Sequence, residues 1–245
     1  MKIEELKYII KNLGEVSIAF SGGVDSSLVS KISYETLGSK ATAITVASEF
    51  TSEDDILEAI KTAKEIGIRH KIIKIRIIDQ EIEKNNKSRC YICKKKILSS
   101  IPGKNIVDGT NADDDTEERP GIRALEEYGV ISPLKKASIG KSEIRKMAKE
   151  LGLSNYNKKS NSCLATRIPF NSIITREKLA KIEITERILK KENIFNTRAR
   201  LKNNKLTIEI PTKYLKKYEN SLDRIKEKIY ETGIESIETS ERHEN

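Results

Sequence analysis

Residues Val16 to Ser27 read VSIAFSGGVDSS: an apolar run, two glycines, an acid, then hydroxyl residues that open a helical pattern. The order predicts a strand, a tight loop and a helix. Gly22 and Gly23 lack a Cβ, so they can take positive φ and bring backbone N–H groups close to an anion, while Ser21, Ser26 and Ser27 add hydroxyl donors at a helix N-terminus. Together with Val24 and Asp25 they form a phosphate cradle. A Walker-type P-loop would carry a lysine just before its Ser/Thr, and none stands here, so a triphosphate would be held differently. Asp25 facing phosphates is repulsive unless Mg²⁺ lies between them. The expected ligand is Mg·ATP.

The run SGGVDSS resembles the signature of the PP-loop ATP pyrophosphatases, a superfamily that includes GMP synthetase, asparagine synthetase and tRNA thiolation enzymes. The resemblance implies ATP cleavage between the α and β phosphates. The loop would hold the departing pyrophosphate while a substrate oxygen attacks the α-phosphorus and becomes an adenylate. It also implies that backbone groups near Val46, at the end of the second strand, hold the adenine. The ordinary alternative is a glycine turn capping a βα unit.

The 245 residues can bury a real core in one or two domains. Lys and Arg outnumber Asp and Glu by 46 to 37, for a net charge of +9. That excess suits anionic small molecules or a lysine-rich surface better than nucleic acid, because the lysines are scattered over helical faces and are not interleaved with aromatics. The richest apolar stretch, Ile72 to Ile78, is interrupted by Lys74 and Arg76, so no membrane span is expected. The N-terminus runs straight into an amphipathic helix, without the pattern of a signal peptide. A cytoplasmic protein with reduced thiols is expected.

Leu6, Ile9, Ile10 and Leu13 predict an opening helix ended by Gly14. After the loop, a helix burying Leu28, Val29 and Ile32 stops at Gly38, and Thr42 to Val46 reads as a strand. Ser52 caps a third helix, and His70 to Ile78 and Ile106 to Asp108 give further strands. Strands alternating with helices predict an α/β fold, with a doubly wound, mostly parallel sheet and ligands at the strands' C-terminal ends. A last core helix carries Ile144, Met147, Ala148 and Leu151, followed by an aperiodic polar loop from Ser154 to Phe170. The texture then changes. A helix from Thr175 to Glu192, a hairpin of Thr197–Leu201 and Leu206–Ile210, and a helix from Leu222 to Ile229 predict a small α+β domain. The boundary is placed so that residues 1–170 form the ATP-binding domain with all three cysteines, and 171–245 a domain suited to substrate binding or to a homo-oligomer contact. The tail after Thr239 is expected to fray.

The chain has three cysteines, Cys90 and Cys93 in SRCYICKKK and Cys163 in NSCLATRIP. Cys90 and Cys93 can share a metal or form a disulfide, and Arg89 and Lys94 to Lys96 favour the thiolate form. If Cys163 converges with them, three thiolates form a tripod. Zinc would want a fourth ligand, and the only histidines are His70 and His243. A [4Fe–4S] cluster on three thiolates leaves one iron free for an exogenous group such as sulfide. Other readings stay open: a local redox pair beside an ordinary loop cysteine, a sacrificial Cys163 that becomes dehydroalanine, or a persulfide passed from Cys163 to the pair.

Three further stretches, GTNADDDTEERPGIRALEEYGVISPL, KSEIRKMAKELGL and CLATRIPF, together with SGGVDSS resemble the LarE family, ATP-dependent pyridinium biscarboxylic acid mononucleotide sulfurtransferases of nickel-pincer cofactor synthesis. The resemblance implies adenylation of a substrate carboxylate followed by sulfur attack, performed twice. The family has a form with one sacrificial cysteine, matching Cys163, and a form with Cys-x-x-Cys as well, which this chain resembles. That form implies a [4Fe–4S] cluster on Cys90, Cys93 and Cys163 that carries hydrosulfide from a sulfide or other sulfur donor. The rival readings are a tRNA thiolase and a non-catalytic nucleotide or iron–sulfur carrier module.

Other charged residues suit the phosphates. Arg119, Arg123 and Arg167 offer planar, bidentate guanidinium groups for the nucleotide or the substrate. Arg198 and Arg200 alternate on one strand and point to one face, with Glu209 across the hairpin as a metal or arginine partner. Thr110 is placed with the nucleotide-binding set, and Asp113 and Asp114 either help hold Mg²⁺ or cap a helix. For each arginine the bland alternative is a solvated surface charge.

Overall fold

The computed structural model describes residues 2–114, 120–159 and 161–242. The chain divides into two compact units, Met1–Ile77 with Lys87–Asn161, and Ile78–Asn86 with Ser162–Asn245. The first begins with α1 (Lys2–Lys11), β1 (Val16–Ala19), α2 (Val24–Leu37), β2 (Ala41–Ala47), α3 (Glu53–Ile66) and β3 (Arg69–Lys74). The short α4 (Gln80–Glu83) belongs to the second unit. The first then resumes with α5 (Arg89–Ser100), β4 (Ile106–Val107), α6 (Pro120–Glu127), α7 (Pro133–Lys136) and α8 (Lys141–Glu150).

Its four strands are all parallel, in the order β3-β2-β1-β4, and Ile131 extends the sheet by a parallel bridge to Val107. The chain steps outward from β1 to β3 and returns on the other side of β1, which makes the carboxyl ends of β1 and β4 the switch point where such sheets bind ligands. Both faces are covered, as a parallel sheet requires. Ile18 and Val107 pack with Leu6, Leu28, Ile32 and Ile144 in one core, and Ile44 and Ile106 pack with Leu98, Ile101 and Leu125 in another. Local signals place the helices. Ser52 Oγ accepts from Asp55 N at 3.1 Å to start α3, and left-handed Gly67 ends it at φ 80°.

One expectation in this unit is corrected. β3 ends at Lys74 and not at Ile78, because its partner β2 ends at Ala47, whose carbonyl takes Ile75 N at 3.0 Å, and Ile77 N turns to Glu49 Oε2 at 2.9 Å. The Cys-x-x-Cys segment, for which the sequence reading named no element, forms the first turn of α5.

The second unit contains α9 (Arg176–Lys191), β5 (Arg198–Lys202), β6 (Lys205–Pro211), α10 (Leu215–Tyr230) and β7 (Ser236–Arg242). β5 and β6 form the expected antiparallel hairpin on Asn203 and Asn204, both left-handed at φ 48° and 56°. The frayed tail is also corrected. β7 pairs parallel to β6 through Arg242, opposite Pro211, and completes a three-stranded sheet in the order β5-β6-β7.

Where the sequence reading set a boundary at residue 170, the compact units part at residue 161, and the second also takes in residues 78–86. The reason is Asn85, fully buried, whose side-chain amide donates to Pro169 O at 2.7 Å, Ser172 O at 3.1 Å and Ile168 O at 3.2 Å. Asn171 N returns a bond to Asn85 O at 2.9 Å. Among the described residues no helix is long and apolar enough to cross a membrane.

Candidate active site

The glycine loop leaves β1 and opens α2 at the switch point of the sheet. Gly22 is left-handed at φ 70°, and a Cβ there would lie 2.9 Å from Ala59 Cα on α3, so both conformation and space exclude a side chain. Ser26 and Ser27 turn their hydroxyls back to Gly23 O, at 3.1 and 2.8 Å, and Ser21 Oγ lies 3.2 Å from Ser26 Oγ. Those bonds fix the loop's shape. The N–H groups of the first turn of α2 have no intrahelical acceptor and open toward an anion.

Asp25, on that first turn, meets Lys141 at the start of α8, with Nζ 2.7 and 2.5 Å from its two carboxylate oxygens. One carboxylate with neighbouring hydroxyls fits Mg²⁺, which takes one or two carboxylates and completes its shell with phosphate oxygens and water. Asp113 does other work. Its Oδ2 accepts from Lys141 N at 2.5 Å, which caps α8 and sets the lysine's position. Asp114 accepts from Asn111 N at 3.0 Å. Thr110 Oγ1 donates to Asp108 Oδ2 at 2.6 Å, and Ser132 Oγ to Asp108 Oδ1 at 2.7 Å, so Thr110 braces the buried carboxylate at the end of β4. Gly109 lies against the loop, since a Cβ on it would sit 2.7 Å from Ser26 N.

Val46, one residue before the end of β2, is partly buried and packs with Ile73 against the core that includes Ile44. Beside it on β2, Thr45 Oγ1 donates to Phe20 O at 2.9 Å, which leaves Nε2 of His70 on β3 to donate to the same hydroxyl at 2.8 Å. Burial pushes the His70 pKa down.

Cys90 and Cys93 lie three residues apart on α5, hence on one helical face. Buried Arg89 places Nη2 3.4 Å from Cys90 Sγ. Beside them, Tyr91 donates to Glu127 on α6 at 2.7 and 2.9 Å, Lys95 Nζ donates to Tyr91 Oη at 3.2 Å, and Arg123 Nε donates to Glu127 at 3.0 Å. The Tyr91 hydroxyl and then Lys95 hold the Glu127 pKa below the usual carboxylate range. Arg123, expected at the nucleotide, thus sits on Glu127 with its guanidinium 5.0 Å from the Tyr91 ring. Arg119 lies outside the described residues.

In the second unit Cys163 is exposed at the start of a single 3₁₀ turn, Leu164–Arg167. Its carbonyl accepts from Thr166 N and Oγ1 at 3.0 and 2.7 Å. Arg167, 2% exposed, pairs with Glu186 at 2.8 Å and donates to Ser162 Oγ at 2.6 Å and Thr166 Oγ1 at 3.0 Å. Arg200 pairs with Glu209 through Nε and donates Nη1 to Thr166 O at 2.9 Å. Two arginines therefore clamp the cysteine turn. Arg198, opposite Glu209 in the hairpin register, is surrounded by like charge: burial first, then Arg242, Arg167 and Arg200, lower its pKa. An anion there would relieve that repulsion.

The cysteines are divided two and one between the units. Among the described residues no three or more His, Cys, Asp or Glu side chains are grouped as a metal site. Neither unit by itself holds three thiolates.

Lys141, Asn155, Gly109 and Arg242 escaped the sequence reading. Lys141 stood in the quoted stretch KSEIR and Gly109 in GTN, directly after a strand, while Asn155 and Arg242 carried no local signal.

A parallel α/β sheet with a serine-rich Gly-Gly loop and an acid on the following helix at its switch point defines a PP-loop ATP pyrophosphatase. A family model described as NAD synthase matches residues 6–99. The chain is 36% identical over 239 residues to an uncharacterised protein of Methanocaldococcus jannaschii, covering 95% of this chain and 91% of that one. It is 34% identical over 225 residues to an uncharacterised protein of Synechocystis sp., covering 89% and 84%. It is 29% identical over 237 residues to the pyridinium-3,5-bisthiocarboxylic acid mononucleotide synthase of Lactiplantibacillus plantarum, covering 93% and 86%. The chain belongs to the LarE family of ATP-using enzymes.

Proposed function

We propose that this protein is a cytoplasmic, ATP-dependent sulfur insertase acting on the carboxylates of pyridinium-3,5-biscarboxylic acid mononucleotide. The observation that carries the reading is the phosphate loop with Asp25 and Lys141 at the switch point, in a chain that is similar over 93% of its length to a synthase of the corresponding bisthiocarboxylate. A substrate carboxylate oxygen attacks the α-phosphorus of ATP and pyrophosphate leaves toward the loop amides. Val46 lies beside the adenine, and Asp25 would hold Mg²⁺, which when bound would neutralise phosphate charge. A sulfur nucleophile then attacks the acyl carbon, and AMP departs with the C–O electron pair. Arg198 and Arg200 take the mononucleotide phosphate, and Arg167 and Glu209 fix the cysteine turn and Arg200.

Exposed Cys163 supports the role of nucleophile. Its thiolate would form a thioester; loss of its Cα proton and cleavage of the Cβ–S bond then leave a thiocarboxylate and dehydroalanine. The finer alternative is a [4Fe–4S] cluster on Cys90, Cys93 and Cys163, which when bound would supply hydrosulfide from an external donor and spare Cys163. Self-association is proposed as well, with the second unit as the contact.

The test is anaerobic turnover with the biscarboxylate mononucleotide, ATP and sulfide, read by pyrophosphate release and by mass spectrometry of product and protein. Release coupled to thiocarboxylate is expected. Absence of both, with thiolated product on tRNA instead, would overturn the reading. Loss of one sulfur from Cys163 per transfer would decide for sacrifice over a cluster.

A further inference from the structure

Asn155 lies in the segment after α8, and its side chain is 5% exposed. Its Nδ2 donates to Gly22 O at 3.0 Å and to Ser27 Oγ at 2.9 Å. With its oxygen occupied as an acceptor, the Ser27 hydroxyl sends its one hydrogen to Gly23 O at 2.8 Å. One amide group thus holds two consecutive loop carbonyls, the first directly and the second through a hydroxyl. The Asn155 Oδ1 is buried and accepts no bond from the described residues, so the residue is committed through its donors alone.

The geometry of a trans peptide turns this into a statement about the loop's amides. Across a planar trans peptide, C=O of one residue and N–H of the next point in opposite directions. When Asn155 holds Gly22 O on its own side, it sends Gly23 N–H to the other, where that N–H also donates to Ser21 Oγ at 3.3 Å. When Ser27 holds Gly23 O, through its own N–H at 3.0 Å as well as its hydroxyl, Val24 N–H is sent the same way. Gly22 needs this restraint, because a glycine at φ 70° crosses to other backbone wells at little cost.

We infer that Asn155 is a positioning residue, which sets the direction of the phosphate-loop amides and thereby the enzyme's preference for a nucleotide with phosphates over the bare nucleoside. The inference rests on the proposed reading of this loop as the ATP site. The segment acts from both ends, since Lys141, fourteen residues earlier, holds Asp25.

The experiment compares wild type with Asn155→Ala, Asn155→Asp and Asn155→Thr in the full chain. Affinity for ATP is measured by calorimetry, affinity for adenosine by NMR titration, and the thermal midpoint alongside. Asn155→Ala and Asn155→Asp are expected to weaken ATP by about tenfold or more while adenosine binding is unchanged, a tenfold loss being what one or two lost charge-directing hydrogen bonds produce. Asn155→Thr, which keeps one donor, is expected to recover part of the loss. Equal weakening of ATP and adenosine would mean a merely structural role and overturn the inference, as would unchanged ATP affinity. If the wild-type chain binds adenosine and ATP alike, it is the reading of the loop that fails, before any variant is considered. Should Asn155→Asp not fold, Asn155→Ala and Asn155→Thr still decide.

Discussion

The ammonium of Lys141 and the carboxylate of Asp25 bridge 116 residues of sequence, with Nζ within 2.7 Å of both oxygens. Each is only partly exposed, 30% for the lysine and 25% for the acid. The pair ties α8 to α2 where phosphates are to lie. On the proposed reading Mg²⁺ would compete with Lys141 for this one acid, and a lysine released from it would be available to the phosphates. Asp25→Asn is expected to cut pyrophosphate release about 10²- to 10³-fold and Lys141→Met about 10²-fold, the usual cost of one charge-stabilising group. Single-turnover pyrophosphate release checks both. Raised Mg²⁺ should rescue neither, and full activity of Asp25→Asn would remove the metal from that position.

Gly109 leads to a steric prediction. A methyl at this residue would lie 2.7 Å from Ser26 N and 3.1 Å from Asp25 Cβ. Because both neighbours are fixed in the first turn of α2, Gly109→Ala should displace that turn and lower stability by about 1–3 kcal/mol. Urea unfolding measures the cost, and ATP affinity should fall with it. An unchanged unfolding midpoint would show that β4 and α2 can part.

Arg167 is among the largest fully buried side chains. Removing it leaves the Glu186 carboxylate without its guanidinium and unties Ser162 and Thr166, so Arg167→Ala should cost about 3–5 kcal/mol. Lysine offers no planar fork, so Arg167→Lys should recover less than half. Denaturant titration of both variants, with alkylation rates at Cys163, separates the loss of stability from a loosened cysteine turn.

The His70 pKa is lowered from 6.5 by burial. Above that pH the imidazole is neutral in folded and unfolded chains alike. As pH falls through 6.5 the unfolded chain takes up a proton that the native one refuses, so stability is lost on the acid side. His70→Gln should show a smaller drop in thermal midpoint between about pH 7.5 and about pH 5.5 than wild type. An equal drop would assign the acid sensitivity to other groups.

Much of the first unit was legible because its signals are local. Ser52, Gly38 and Gly67 mark helix ends by their own backbone needs, and the Gly-Gly loop announces an anion site by composition. The misreadings share a cause. Strand β7 has no apolar alternation, since its residues Glu238 to Arg242 are polar, and it exists because β6 offers a parallel edge after α10. For Arg167 a sequence shows the charge but not the Glu186 that pairs with it. Lys141, Asn155 and Gly109 act on the loop from 83 to 133 residues away, and no period or propensity carries information over that distance.

The second unit is not a contiguous stretch of chain. Residues 78–86 are spliced into it from within the nucleotide-binding half, through the carbonyls that Asn85 gathers. A clone cut at residue 162 would therefore lack a buried asparagine and leave carbonyls of Pro169 and Ser172 bare. The two halves cannot be shuffled as independent cassettes, and any chimaera between relatives must exchange the nine-residue insert together with the C-terminal portion or inherit a mismatched seam.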